Sequence, residues 1–392
     1  MSDILITFNA GSSTVKLGLF ETAPLRRIAK GMIDFRRRPL TFHLIEGPET
    51  FDVSLHNEPG EDLSGVMEEA FTWLANHFDM GRIAVAGHRV VHGGDHFAGP
   101  VVIDDTTLSE IEALTPLAPL HQPGALRLIR AIRTMRPHLP QTASFDTAFH
   151  RTNVDAVRRF AIPRALHDEG IKRYGFHGLS YAFIAAELAR RDPALAKGRV
   201  VAAHLGSGAS LCAMENGVSR DTSMGFSALD GVPMATRCGA IDPAVILHLL
   251  GPLQKTTEEV THLLYYDSGL LGMSGISADT RDLLASDAPA AAEALEVFTR
   301  RIAGEVARLA ATLGGLDALV FTAGIGEHQP EIRSAVIERL GFLGLQLDAS
   351  ANAANAPIIT AADSPATGLV IPTNEELIIA EETLGATGKA MA

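Results

Sequence analysis

Cysteine is scarce in this chain: Cys212 and Cys238 are the two among 392 residues. That excludes a disulfide framework, and no Cys and His grouping has the spacing of a zinc site. Two isolated thiols suit a reducing cytoplasm. Basic residues are also in deficit, with 33 Lys and Arg against 46 Asp and Glu and a formal net charge of −13. A chain of that sign is not drawn to nucleic acid or to an anionic membrane, so neither is expected as a partner. No apolar run reaches the ~18 residues that a membrane span needs. The N-terminus enters a strand-like run at Ile4 without the basic region and long apolar stretch of a secretion signal. The Gly-x4-Gly-Lys-Ser/Thr phosphate loop and the protein-kinase signatures are missing as well, which removes the two commonest phosphoryl-transfer scaffolds.

What is present is apolar and ordered. Hydrophobic residues make up 46% and charged residues 20%, enough for a sizeable core, and the length fits two domains. One pattern occurs twice. Residues 4–20 read as an apolar run, the turn Asn9-Ala10-Gly11-Ser12-Ser13, and a second apolar run through Thr14 and Lys16. Residues 200–214 repeat it around His204-Leu205-Gly206-Ser207-Gly208, so that His204 matches Asn9 about half the chain later. Two equivalent hairpins with backbone N–H groups bunched at their turns predict a duplicated fold whose halves face each other across a phosphate-binding cleft.

Helical periodicity marks 63–77, 124–135, 180–190, 241–250 and the Ala-rich 288–313. Buried strands are predicted at 83–91, 143–145 and 318–322, with a Pro-bounded loop at 117–123. Alternating strands and helices define an α/β class. Arg36-Arg37-Arg38-Pro39 reads as a solvated basic turn.

Several short constellations carry chemistry. Gly lets a backbone approach a phosphate, Ser and Thr hydroxyls add donors, and Lys16 supplies a point charge. Arg89 closes a strand, where its planar fork suits a carboxylate. His88 and His92 imitate a helical zinc pair, but the intervening Val90-Val91 and the following Gly93-Gly94 indicate strand and turn, which argues against a metal there. Asp146 follows an apolar strand, and His177 lies between Phe176 and Gly178. Residues 221–243 are too rich in Gly, Ser and Thr for a core helix and too apolar for disorder. They predict an ordered loop presenting Arg237. Gly324-Ile325-Gly326-Glu327-His328 sits between a strand and a helix, where nucleotide phosphates commonly lodge. Taken singly, a Gly-Ser turn, a strand-end Arg or a loop His is most often structural, and it is the repetition and the number of such sites that favours function.

These blocks, together with 268–275 and Thr373-Asn374-Glu375-Glu376-Leu377, run in the same order as in the acetokinase family, which the chain resembles end to end. The resemblance implies two duplicated ribonuclease-H-like α/β domains, the actin-like ATPase fold, around a central cleft. It puts one domain at 1–150 with 376–392, and a nucleotide-binding and dimerisation domain at 151–375. It implies a cytoplasmic homodimer that transfers phosphate reversibly between ATP and acetate, giving ADP and acetyl phosphate, with Mg²⁺ or alternatively Mn²⁺.

By matching position, Asn9 and Glu375 resemble the metal residues, and Ser12, Thr14 and Lys16 the phosphate contacts. Arg89 resembles the acetate binder, with Val91, Leu120 and Phe176 around the methyl group. Asp146, His177 and Arg237 resemble the catalytic residues. Because acetate is already ionised at neutral pH, Asp146 is expected to orient Arg237 or the metal shell rather than to act as a base. The nucleotide loops would be His204, Leu205, Gly206, Ser207 and Gly208; Asp279, Thr280 and Arg281; and Gly324, Ile325, Gly326, Glu327 and His328.

The chain departs from the family's commoner pattern at Thr14 (for Ser), Tyr181 (for His), Ser207 and His328 (for Asn) and Ala228 (for Pro). The last departure widens the acyl pocket and leaves a propionate or other short-chain acyl kinase as the alternative. Ser207 and His328 keep a pyrophosphate donor open. A non-catalytic actin-like protein would not need Arg89, Asp146, His177, Arg237 and Glu375 together.

Overall fold

The computed structural model describes residues 2–11, 14–35, 38–57 and 63–388. The chain divides into two compact units, Met1–Phe149 with Asn374–Ala392, and His150–Thr373.

The first unit is built on β1 (Ile4–Ala10), β2 (Thr14–Thr22), β3 (Leu25–Asp34), β4 (Thr41–Glu46), β5 (Glu49–Ser54), β6 (Ile83–Val90), β7 (Val101–Val102) and β8 (Gln141–Phe145). Their order across the sheet is β5-β4-β3-β2-β1-β6-β8-β7. β1 to β5 form an antiparallel meander, and β6 and β8 continue parallel to β1. β1 is buried on both faces, so it reads as an unbroken apolar run. Its alternation still sorts the faces. Ile4, Ile6 and Phe8 join a core with Val66, Met67 and Leu74 from the helix Ser64–Ala75. Leu5 points the other way, onto Ala380 and Leu384 of the helix Glu375–Ala386. Two strand glycines let that helix approach. A β-carbon at Gly18 would lie 3.3 Å from Glu376 Cβ, and one at Gly87 would lie 2.8 Å from Ile379 Cγ2.

The second unit carries β9 (Arg199–Leu205), β10 (Ala209–Glu215), β11 (Val218–Thr222), β12 (Ala318–Thr322) and β13 (Thr367–Val370), in the order β11-β10-β9-β12-β13. β9, β10 and β11 are antiparallel, and β12 runs parallel to β9 and β13. Three antiparallel strands followed by two parallel ones is the ribonuclease-H-like sheet. The first unit contains the same arrangement in β3-β2-β1-β6-β8. The α/β class and the duplication are thus both present in the topology. The helix Pro289–Leu313 covers β9 to β11, burying Phe298, Ile302, Val306 and Leu309. Pro289 starts it, and Gly314, in the left-handed region at φ 72°, ends it.

Four local expectations are corrected. The stretch Ala323–His328 is a short helix rather than a loop. Asp279 caps the helix Thr280–Leu284, so 279–281 is a helix start. The 221–243 loop loses its first two residues to β11, where Asp221 pairs with Arg308 at 2.6 Å. The helix expected from Gly124 begins at Gln122, with Pro123 tolerated in its first turn. Among the described residues no helix is long and apolar enough to cross a membrane.

Candidate active site

In the first unit the register of three strands gathers one cluster. Parallel pairing sets Phe8 beside His88 and Arg89 beside Ser144, so Asn9, Arg89 and Asp146 emerge at neighbouring strand ends. Arg89 grips Asp146 through a fork, with Nε to Oδ1 at 2.9 Å and Nη2 to Oδ2 at 2.5 Å. Its Nη1 donates to Asn9 Oδ1 at 3.2 Å and to the Ala10 carbonyl at 3.3 Å. Asn9 Nδ2 donates to Glu375 Oε2 at 2.7 Å and Glu376 Oε1 at 3.2 Å. Asn374 holds the start of that helix by accepting from the Leu377 N–H, and Arg27 donates to the Asn374 side chain. Burial works against the Arg89 charge. Asp146, Glu375 and Glu376 outweigh it and hold the guanidinium above its ordinary pKa.

Lys16 faces Asn9 across the first hairpin, and the Gly11 N–H closes the turn on the Thr14 carbonyl at 2.7 Å. Ser12 lies outside the described residues. Val91 is buried, whereas Leu120 is 39% exposed. Gln122 pins the segment after β6 by accepting from the His92 N–H and donating to the His92 carbonyl.

In the second unit His177 stands in the left-handed region at φ 57°, at the head of the helix Gly178–Arg191. Its ring stacks on His204 with centroids 4.2 Å apart and planes 14° apart. Cross-strand pairing sets Ser210 opposite His204, on the same face. Ser210 Oγ lies 2.8 Å from His177 Nδ1 and 2.6 Å from the Tyr181 hydroxyl. His204 Nδ1 bonds Ser180 Oγ at 2.9 Å, which bonds Thr373 Oγ1 at 2.9 Å. The Thr373 N–H donates to Glu327 Oε1 at 3.1 Å.

Arg237 Nη1 donates to the Ala228 carbonyl at 2.7 Å. The Ala235 N–H donates to the Ser207 carbonyl at 3.3 Å, tying the Arg237 loop to the second hairpin turn. A β-carbon at Gly208 would lie 3.1 Å from Arg237 Nη2 and 3.3 Å from His177 Nε2. The second unit therefore brings together His177, His204, Gly208 and Arg237. Phe176 is buried beside them in sequence.

The other residues expected at the nucleotide do not gather into this cluster. Asp279 accepts from the Arg281 N–H and pairs with its guanidinium, which holds the carboxyl below its usual range. Arg281 itself is largely exposed. Thr280 is buried, and His328 is exposed, 3.8 Å from Glu327. The helix Ala323–His328 rests on Arg333, which is fully buried. Arg333 donates to the Gly326 carbonyl at 2.9 Å, to Asn352 Oδ1 at 2.8 Å and to the Asn352 carbonyl at 2.8 Å. Sequence reasoning missed Arg333, Gln122 and Ser210. A polar residue inside an apolar helical or strand pattern was the one signal each gave.

Fit to a divalent cation can be judged from the first cluster. Two guanidiniums, Arg27 and Arg89, face three carboxylates, Asp146, Glu375 and Glu376. Asn9 and Glu375 offer hard oxygen donors. Among the described residues no three His, Cys, Asp or Glu groups form a ready-made metal cage. That pattern suits Mg²⁺, which is commonly held by one or two carboxylates and completed by phosphate and water.

The repeated sheet order defines a duplicated ribonuclease-H-like α/β protein. Its overall fold matches that of a propionate kinase from Francisella tularensis, with a TM-score of 0.91, 36% identity and coverage of 98% of this chain and 100% of that one. It also matches an acetate kinase from Porphyromonas gingivalis, with a TM-score of 0.87, 32% identity and coverage of 98% and 100%. The chain belongs to the acetokinase family, whose model matches residues 4–381. An acetate kinase from Rhodopseudomonas palustris is 48% identical over 97% of both chains. One from Methylocella silvestris is 44% identical over 98% of both.

Proposed function

We propose that the chain is an acetate kinase, transferring the γ-phosphoryl group of ATP to acetate, reversibly, by direct in-line displacement. The observation that carries this reading is the chain of contacts Asp146–Arg89–Asn9–Glu375. A guanidinium whose charge is enforced by carboxylates, set among hard oxygen donors, suits an anionic acceptor handled together with a divalent cation.

Arg89 meets the acetate carboxylate, and Val91, Leu120 and Phe176 receive the methyl group. Asp146 fixes Arg89 rather than removing a proton, because acetate with a pKa of roughly 4–5 is already ionised at neutral pH. His177 and Arg237 donate hydrogen bonds to the transferring phosphoryl oxygens, and Lys16 with Thr14 and Ser12 holds phosphate. Residues 204–208, 279–281 and 324–328 hold the nucleotide. Asn9 and Glu375 would hold Mg²⁺ (or Mn²⁺), which when bound neutralises phosphate charge. The two unpaired thiols suit a cytoplasmic enzyme.

A homodimer accompanies this reading. The helix Pro243–Leu250 is almost wholly apolar, yet none of its residues is buried in the unit, and Leu247 is 69% exposed. A second copy would cover it. Sedimentation should give a dimer, and Leu247→Glu should give monomers.

Ala228 favours a second reading. Its carbonyl holds Arg237, and its side chain is smaller than the common Pro, which leaves room for a propionyl group. One methylene discriminates by only ~1–3 kcal/mol. Hydroxamate trapping of acyl phosphate, with acetate, propionate and butyrate against ATP, GTP and pyrophosphate, decides between the readings. Acetate with ATP should give the highest kcat/KM. A higher value for propionate would shift the assignment to a propionate kinase, and no acyl phosphate from any pair would end the kinase reading.

A further inference from the structure

His177 is gripped from two sides. On its backbone side, His150 Nε2 lies 3.0 Å from the Phe176 carbonyl. A carbonyl only accepts, so His150 donates there and holds the residue immediately before His177. A β-carbon at Gly175 would lie 2.6 Å from the His150 ring, so glycine at φ 80° lets the ring in. Together these contacts keep His177 in a backbone region that a non-glycine residue seldom occupies.

On its side-chain side, the ring nitrogen Nδ1 faces Ser210 Oγ at 2.8 Å, and the same oxygen faces the Tyr181 hydroxyl at 2.6 Å. Tyr181 is fully buried and Ser210 is fully buried. Ser210 has one proton to give. A phenol is a much stronger acid than an aliphatic alcohol and therefore the better donor, whereas the alcohol oxygen is the better acceptor. The short O···O separation fits that direction. Tyr181 thus donates to Ser210, and Ser210 turns its own proton onto His177 Nδ1.

We propose that Tyr181, acting through Ser210, fixes the tautomer of His177, so that Nδ1 is an acceptor and the proton sits on Nε2, the atom flanking Gly208 beside Arg237. Tyr181 is a positioning residue, since its hydroxyl acts on His177 through Ser210. A neutral His177 that carries its proton on Nε2 donates to a phosphoryl oxygen without first acquiring one. The opposite tautomer would present a lone pair to an anion. The role in transfer rests on the acetate kinase reading above, whereas the tautomer does not.

The test uses the whole protein labelled with ¹⁵N-histidine, without substrate, together with steady-state kinetics. In the native protein the His177 nitrogen shifts should report a protonated Nε2 and an unprotonated, hydrogen-bonded Nδ1. Tyr181→Phe keeps the buried ring and removes only the hydroxyl. It should mix the tautomers and lower kcat by roughly tenfold, the value of one hydrogen bond at the upper end of its range, while KM for acetate and ATP stays within about twofold. Adding Ser210→Ala to Tyr181→Phe should cost little more, because both act on one proton. A native His177 protonated on Nδ1, or a Tyr181→Phe protein with unchanged nitrogen shifts and unchanged kcat, would overturn the proposal. If acyl phosphate never forms but the nitrogen shifts are as expected, the kinase reading fails and the tautomer assignment stands.

Discussion

Gly87 and Thr383 share one space: a β-carbon at Gly87 would overlap the Thr383 hydroxyl. That hydroxyl bonds Thr142 Oγ1 at 2.7 Å, so the helix carrying Glu375 and Glu376 sits close against β6 and β8 at this point, beside the apolar contact of Val85 with Ala380 and Leu384. Gly87→Ala should therefore push the helix off the sheet. An overpacking cost of about 1–3 kcal/mol is expected. Urea unfolding should show that loss, and kcat should fall with it because Glu375 moves.

Asp146→Asn keeps the shape at Arg89 but removes the charge that answers its guanidinium. Turnover should drop by about 100-fold, the scale of a misplaced binding group. The loss should be equal for acetate and for fluoroacetate, whose carboxyl is more acidic. A loss that tracks the acidity of the acceptor would make Asp146 a base instead.

Arg333 supports the helix Ala323–His328 from beneath and is itself fully buried. Arg333→Leu strands the Gly326 and Asn352 carbonyls and should destabilise by about 2–4 kcal/mol. In the folded fraction KM for ATP should rise several-fold while KM for acetate holds, as measured by varying each substrate at saturation of the other.

Acid should loosen both units. Burial pushes His88, His92 and His150 each down to about 4. In the unfolded chain the same rings titrate near 6.5. Between those values the unfolded state binds more protons than the native one, so stability rises with pH there and falls on acidification from about 6.5 towards 4. Each ring contributes up to ~1.4 kcal/mol per pH unit. Urea midpoints at pH 7, 6 and 5 should decline in step. A flat profile would mean that these rings take up protons in the native protein over the same pH range as in the unfolded chain.

Much of this was legible in the sequence. Apolar runs at Ile4, Val200 and Ala318 marked strands buried on both faces, and the repeated turn marked the duplication. The helix at 323–328 was not, because two glycines in six residues suppress helix propensity, and its tertiary packing, on Arg333 among others, is not written in the local sequence. The pairing of Asp146 with Arg89, which leads on to Asn9 and the proposed metal residues, was not foreseen. The two lie 57 positions apart and meet through parallel strand register, which no local pattern encodes. The left-handed backbone at His177 was equally hidden, since it depends on His150 and Gly175 packing together.

The helix Glu375–Ala386 has a consequence for biosynthesis. It belongs to the first unit, yet more than two hundred residues of the second unit are translated before it. At typical elongation rates that interval lasts on the order of tens of seconds. Throughout it, Leu5, Phe20 and Val85 lack the helix that covers them, and Asn9 lacks Glu375 and Glu376. A nascent chain therefore presents an uncovered sheet face to chaperones, and it acquires the carboxylates that meet Asn9 only after its second unit has been made.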